Sequence, residues 1–176
     1  GTIRQALEPL MTAYYFDCVE SEGVLKFVVR GNPTPAYVIP EDDLDARMSS
    51  EQPGVPLNST RLMEMELPYE VSVVFMNLNN SYQSGLQYDR RLNTQSNMQK
   101  KIELPIAMHD SEAKSIASTI LFSTWIAKTS YEFKVSRKYT ALEPTDPIVI
   151  QKGGIDYPMR ITAKDESLSG IIQFKA

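Results

Sequence analysis

The sequence predicts an α+β protein, mainly antiparallel β, with two helices packed on the sheets. Three observations predict this. Short runs of alternating or β-branched residues recur along the chain, about eight or nine of them, with turn-forming residues between. One long segment, Ser111 to Lys128, carries apolar residues at helical spacing instead. A second, shorter helical pattern opens the chain. At 176 residues, 42% hydrophobic and 23% charged, the chain has enough apolar material for one domain with a real core, or two small ones.

The opening pattern is "TIRQALEPLMTAYYF". Ile3, Ala6, Leu7 and Leu10 share one helix face, Thr2 and Gln5 fit a capping box, and Pro9 limits the helix to about three turns. "YYFDCVESEGVLKFVVRG" reads as a β-hairpin packed against that helix, with "ESEG" as the turn. From Gly31 to Arg61 the texture changes, because five of the chain's 11 prolines fall there. "YVIPEDDLDAR" holds one short strand and a helical turn from Glu41, while "MSSEQPGVPLNSTR" reads as a loop, either mobile or a contact made only in an assembly. Tyr37, Val38, Ile39, Val55 and Leu57 are the apolar residues beside it expected to be exposed as contacts.

Strand texture returns at Arg61. Leu62 to Leu67 alternates as a strand that Pro68 breaks, Val71, Val73 and Phe75 form the next, and "NLNN" turns the chain into "SYQSGLQYDRRL". "NMQKKIELPIAM" is a further strand. In the long helix, Asp110 or Ser111 caps the start and Glu112 suits its positive end. Ala113, Ile116, Ala117, Ile120, Leu121 and Thr124 form its core stripe, expected to pack on the strands at 131–136 and 146–151. "SYEFKVSRKY", "DPIVIQKG", "DYPMRITAKDE" and "SGIIQFKA" complete the strands. The expected division is 1–61, a helix and hairpin with a Pro-rich loop, and 62–176, a sheet domain with the long helix.

No chemistry stands out. The net charge of −4 argues against specific nucleic-acid binding, which draws its affinity from basic residues. No apolar run reaches the roughly 18 residues of a membrane span, so no membrane insertion is expected. Gly1 ahead of "TIRQALEPL" reads as a scar on a fragment. With one cysteine, Cys18, an internal disulfide and a cysteine zinc site are excluded, and Cys18 reads as a small strand hydrophobe. A Ser-His-Asp or Cys-His arrangement would need the lone His109, which reads as a surface residue at a helix start. Glu41, Asp42, Asp43 and Asp45 lack the alternation and central glycine of a calcium loop and read as a solvated acidic loop. "QKGG" is a turn rather than a phosphate cradle, and Arg90 and Arg91 are too few for a nucleic-acid patch. The expected catalytic, cofactor and metal residues are therefore none, and no cofactor is expected.

The stretch "LPYEVSVVFMNLNNSYQSG" followed by "YDRR" resembles a segment of phage tail tip hub proteins. The resemblance continues through "ELPIAM", the helix pattern A-x-x-I-A-x-x-x-L from Ala113 to Leu121, Trp125, and "YTALEPTDPIVI". Members of that family usually carry L-x-P-G-D in the last piece; here Thr145 stands at the glycine. The opening "IRQALEPLMTAYYFDCVESEGVLKFVVRG" is also similar to the family, so the likeness runs from Ile3 to Ala176. It implies a virion structural protein of a siphophage, prophage or gene transfer agent, related to lambda-like central tail fibres and to baseplate hubs. It implies barrel-like hub domains, a homotrimer of the parent protein, contacts with tail tube and minor tail proteins, and a place at the virion tail tip after synthesis in the bacterial cytoplasm. No enzymatic role is implied. The alternative is a β-rich module that binds cell-surface carbohydrate for host attachment, with Tyr14, Tyr15, Tyr82 and Tyr88 as stacking faces.

Overall fold

A computed structural model describes residues 3–21, 23–31, 34–48, 50, 52–167 and 170–176. Among them are two α-helices and twelve strands, more strands than the sequence texture separates. The chain forms two compact units that interleave: Gly1–Tyr15 with Arg61–Thr129, and Phe16–Thr60 with Ser130–Ala176.

The first unit is a three-stranded sheet carrying two helices. β5 (Pro68–Asn77) is central, antiparallel to β6 (Ser84–Arg90) and parallel to β7 (Met98–Met108). Strict alternation puts Val71, Val73 and Phe75 of β5 on one face, all essentially buried. The long helix α2 (Asp110–Ile126) lies on that face. Ala113 and Ala117, both at 0% exposure, let its backbone approach, and Ile120 and Leu121 fill the space beside Leu104 and Met108. Each large side chain so buried contributes about 1.5–3 kcal/mol. The stripe thus packs on β5 and its neighbours, not on the strands at 131–136 and 146–151; those belong to the other core.

The opening helix α1 (Ile3–Tyr14) spans 12 residues with Pro9 inside, as its pattern suggests. Its predicted stripe is nevertheless not core: Ile3 and Leu10 are exposed and no residue of the helix is buried. Its end engages, with Ala13 against the first unit's core and the helix along β7. The hairpin expected to pack on it belongs to the second unit. Thr2, the proposed cap, lies outside the described residues.

The second unit contains that hairpin, β1 (Phe16–Ser21) with β2 (Val24–Val29), and two further sheets. One has the order β10-β9-β3, with β3 at Tyr37–Ile39, β9 at Pro147–Lys152 and β10 at Ile155–Arg160. The other has the order β11-β12-β8-β4, with β4 at Leu57–Arg61, β8 at Thr129–Ser136, β11 at Ala163–Glu166 and β12 at Ile171–Lys175. Both contribute to one core, in which Ile39, Ile148 and Ile150 of the first meet Phe133, Val135, Ile172 and Phe174 of the second. Each sheet is open at both ends, so the described residues form an α+β, sheet-rich fold without a closed barrel.

Two local expectations are corrected. The Pro-rich stretch holds β4 as well as β3 and a 3-10 turn at Glu41–Asp43, because Leu57 is drawn into the core and starts a strand beside β8. The alternating run before Pro68 is a 3-10 turn at Glu64–Glu66, held by the Glu66 carboxylate accepting the Met63 N–H at 2.8 Å. Local hydrogen bonding wins there because Met63 and Met65 face solvent and gain nothing from a strand.

Candidate functional site

The residues singled out in the sequence are scattered, and most are engaged in holding the fold. His109 precedes α2; its N–H donates to Glu112 at 2.8 Å and its ring Nδ1 lies 3.2 Å from the Asn79 side-chain oxygen. Asp110 accepts from Asn77 at 3.1 Å and from Gln87 at 3.0 Å, tying the helix start to β5 and β6. Cys18 is free and half-buried on β1. Arg90 pairs with Glu70 and lies 4.6 Å from the centre of the Tyr88 ring. Arg91 stacks at 4.2 Å on Trp125, whose indole N–H donates to the Pro68 carbonyl at 2.9 Å. Those contacts fix the end of α2 to the start of β5 and occupy both arginines.

The acidic loop is likewise structural. Asp43 accepts from Lys138 at 2.7 Å and from the Tyr139 hydroxyl at 2.5 Å, and Glu41 accepts the Gly153 N–H at 2.9 Å. The hydrogen bonds from Lys138 and Tyr139 hold the Asp43 carboxyl below its usual range. Asp45 pairs with Arg47. Among the described residues no group of three or more His, Cys, Asp or Glu gathers as a metal set.

One charged cluster escaped the sequence reading. Asp17 of β1 accepts from Arg30 at 2.7 Å and also pairs with Arg160 of β10. Burial pushes its carboxyl up, but the hydrogen bonds from both arginines outweigh that and hold it low. The partners lie 13 and 143 residues away, a pairing that no local pattern announces.

The surface also carries exposed apolar side chains. On β2, Val24, Leu25, Phe27 and Val29 are all more than half exposed. In the first unit Met63, Met65, Phe122 and Ile126 are each 65% or more exposed. Of the five contact residues expected from sequence, Tyr37, Val38 and Val55 are exposed, whereas Ile39 and Leu57 are core. Pairing with β9 turns Ile39 inward, and β4 does the same for Leu57. The four tyrosines separate: Tyr14, Tyr82 and Tyr88 are exposed and Tyr15 is half-buried, with Tyr88 taken up by Arg90.

The family described as "Putative phage tail protein" (Phage-tail_3) matches residues 2–164. No curated protein matches the sequence. Among solved structures, a chain of the virion of a native gene transfer agent particle shares the fold at a TM-score of 0.87 and 20% identity, covering 98% of this chain and 38% of that one. The tail protein of Neisseria meningitidis MC58 gives 0.59 at 13% identity, covering 99% and 53%. The 43 kDa tail protein of prophage MuSo2 from Shewanella oneidensis gives 0.62 at 12% identity, with the same coverage. The chain therefore spans between 38% and 53% of these proteins' length.

Proposed function

The chain belongs to the phage tail protein family, and from that premise we propose that it is part of a tail-tip hub, which closes the tail tube and joins it to the host-recognition parts. The observation that carries this reading is the near-complete fold correspondence, at a TM-score of 0.87, with a chain that sits in an assembled gene transfer agent virion. The physical character of the chain supports it. A ring that closes a tube needs rigid strands and broad contacts between subunits. This chain has two strand-rich cores, and exposed apolar side chains on β2 and α2 that such contacts would cover. Its net charge of −4 suits a wall past which DNA must move without being held.

In this role the chain performs no reaction. Its partners are further copies of the parent protein, tail tube subunits and minor tail proteins, and its place is the virion tail tip, in a phage, prophage or gene transfer agent. The test is immunogold electron microscopy of purified tails with an antibody raised against these 176 residues. Label confined to the tail tip is the expected result. Label along the shaft, on the capsid or nowhere on the particle overturns the hub reading.

A further inference from the structure

The first unit contains a groove of about 560 Å³ between the end of α1, the end of β7 and the start of α2. That volume lies within the range of roughly 300–1,000 Å³ found for small-ligand sites. We propose that this groove binds a neutral oligosaccharide. The inference does not rest on the tail-tip reading, because the groove lies wholly within one unit.

Three features select that ligand. The first is an aromatic wall. Tyr14 ends α1 with its side chain 66% exposed, and Tyr15 follows at a φ of +55°. A tyrosine in the left-handed region is uncommon, and this turn sets two successive tyrosines at the groove. An exposed phenol ring offers the flat apolar face on which the C–H face of a sugar ring can lie.

The second is how α2 uses its hydroxyls. Ser118, Ser123 and Thr124 donate back to carbonyls of their own helix, at 3.0, 2.7 and 2.8 Å. Ser111, Ser115 and Thr119 lie four residues apart, are exposed, and line the groove. They form a stripe of donors and acceptors that matches the hydroxyl rim of a sugar.

The third is charge. Among the described residues the lining includes no lysine or arginine, and its one carboxylate, Glu112, already accepts the backbone N–H of His109, which also lines the groove. Asp110 and Glu112 also offset the positive end of the α2 dipole. A phosphate, a nucleotide or an acidic sugar would find no lysine or arginine to pair with, only the His109 imidazole beside the Glu112 carboxylate, whereas a neutral sugar needs no counter-charge.

The test is a titration of the ¹⁵N-labelled chain, followed by amide chemical shifts, with tri-N-acetylchitotriose and maltotriose as neutral probes and trigalacturonate as the acidic one. At least one neutral probe is expected to shift Tyr15, Ser111, Ser115 and Thr119, and trigalacturonate to shift none of them. Tyr14→Ala should weaken that binding about tenfold and Ser115→Ala about threefold. Both sites are exposed, so both variants should melt like the parent. Tyr82→Ala, at an exposed tyrosine outside the groove, should bind unchanged. Absence of shifts with both neutral probes, shifts clustered outside the groove, equal binding of trigalacturonate, or parental affinity in Tyr14→Ala would each overturn the proposal.

Discussion

Gly85 pairs across from Phe75, and a Cβ on it would lie 2.8 Å from that ring. The ring covers the glycine because nothing else can stand there, which gives the glycine of "YQSG" a packing reason that the sequence alone does not reveal. Gly85→Ala must push a 2%-exposed ring out of the first core. The expected cost is about 1–3 kcal/mol in urea unfolding, and a variant as stable as the parent would mean the ring has room to move. Thr145 presents the reverse case. It stands where the resemblance places glycine, and its φ of +86° is glycine-like. Thr145→Gly should relieve about 1–3 kcal/mol of backbone strain, offset by about 1 kcal/mol of added unfolded-state entropy. The variant is expected to melt at or above the parent temperature; a clear drop would show that Thr145 packing matters more than its backbone. Asp17 supplies the pH dependence. Its folded carboxyl lies below the ordinary value of 3.8, so the stability it lends is present above that value and is lost as pH falls through the lower, folded one. Asp17→Asn should destabilise the chain near neutral pH, by about 1–2 kcal/mol, and flatten the loss of stability below about pH 4. An unchanged acid profile would assign that loss to other carboxylates.

At the scale of elements, legibility follows from whether a pattern is local. α2 was readable because its stripe repeats over four turns and its partner face is a single sheet. β5 was readable because Val71, Val73 and Phe75 alternate cleanly. β4 was not, since only Leu57 of its five residues is buried and its register comes from β8, about 70 residues on. The parallel pairings of β5 with β7 and β3 with β9 were equally hidden, because pairing direction leaves no mark on one strand. α1 misled for the opposite reason: an amphipathic period says that a face can be buried, not that it is. The candidate groove was legible only in part. Tyr14 and Tyr15 stood out as stacking faces, but nothing in the sequence places them beside Ser111, Ser115 and Thr119. The helix assignment has a direct test in Ile120→Asp. Ile120 is 9% exposed in the core with Val73 and Phe75, so the substitution strands a charge there. A cost of at least about 3 kcal/mol is expected, seen as loss of the cooperative melt or as insolubility. A melt within a degree or two of the parent would place the buried face elsewhere on α2.

For the whole molecule, the question is which surfaces are meant to be covered. Each unit closes its own core, so apolar side chains left outside are not remnants of incomplete folding. They include Tyr37, Val38 and Val55 in the second unit, together with Val24, Phe27 and Val29 on a hairpin that has no third strand among the described residues. A stable interface between copies needs about 1,200–2,000 Å² of total buried area and must offset several kcal/mol of lost translational and rotational freedom. In the hub reading that area is spread over a longer parent protein; the gene transfer agent chain of the same fold is itself longer, and this chain covers 38% of it. The isolated chain is therefore expected to be monomeric at micromolar concentration by light scattering, while the longer parent assembles as a homotrimer by native mass measurement. Isolated chains that already form trimers would place the whole interface inside these residues. A parent that stays monomeric and is missing from purified tails would remove the hub reading. The saccharide groove would then stand on its own titration, since its walls come from one unit and need no second copy.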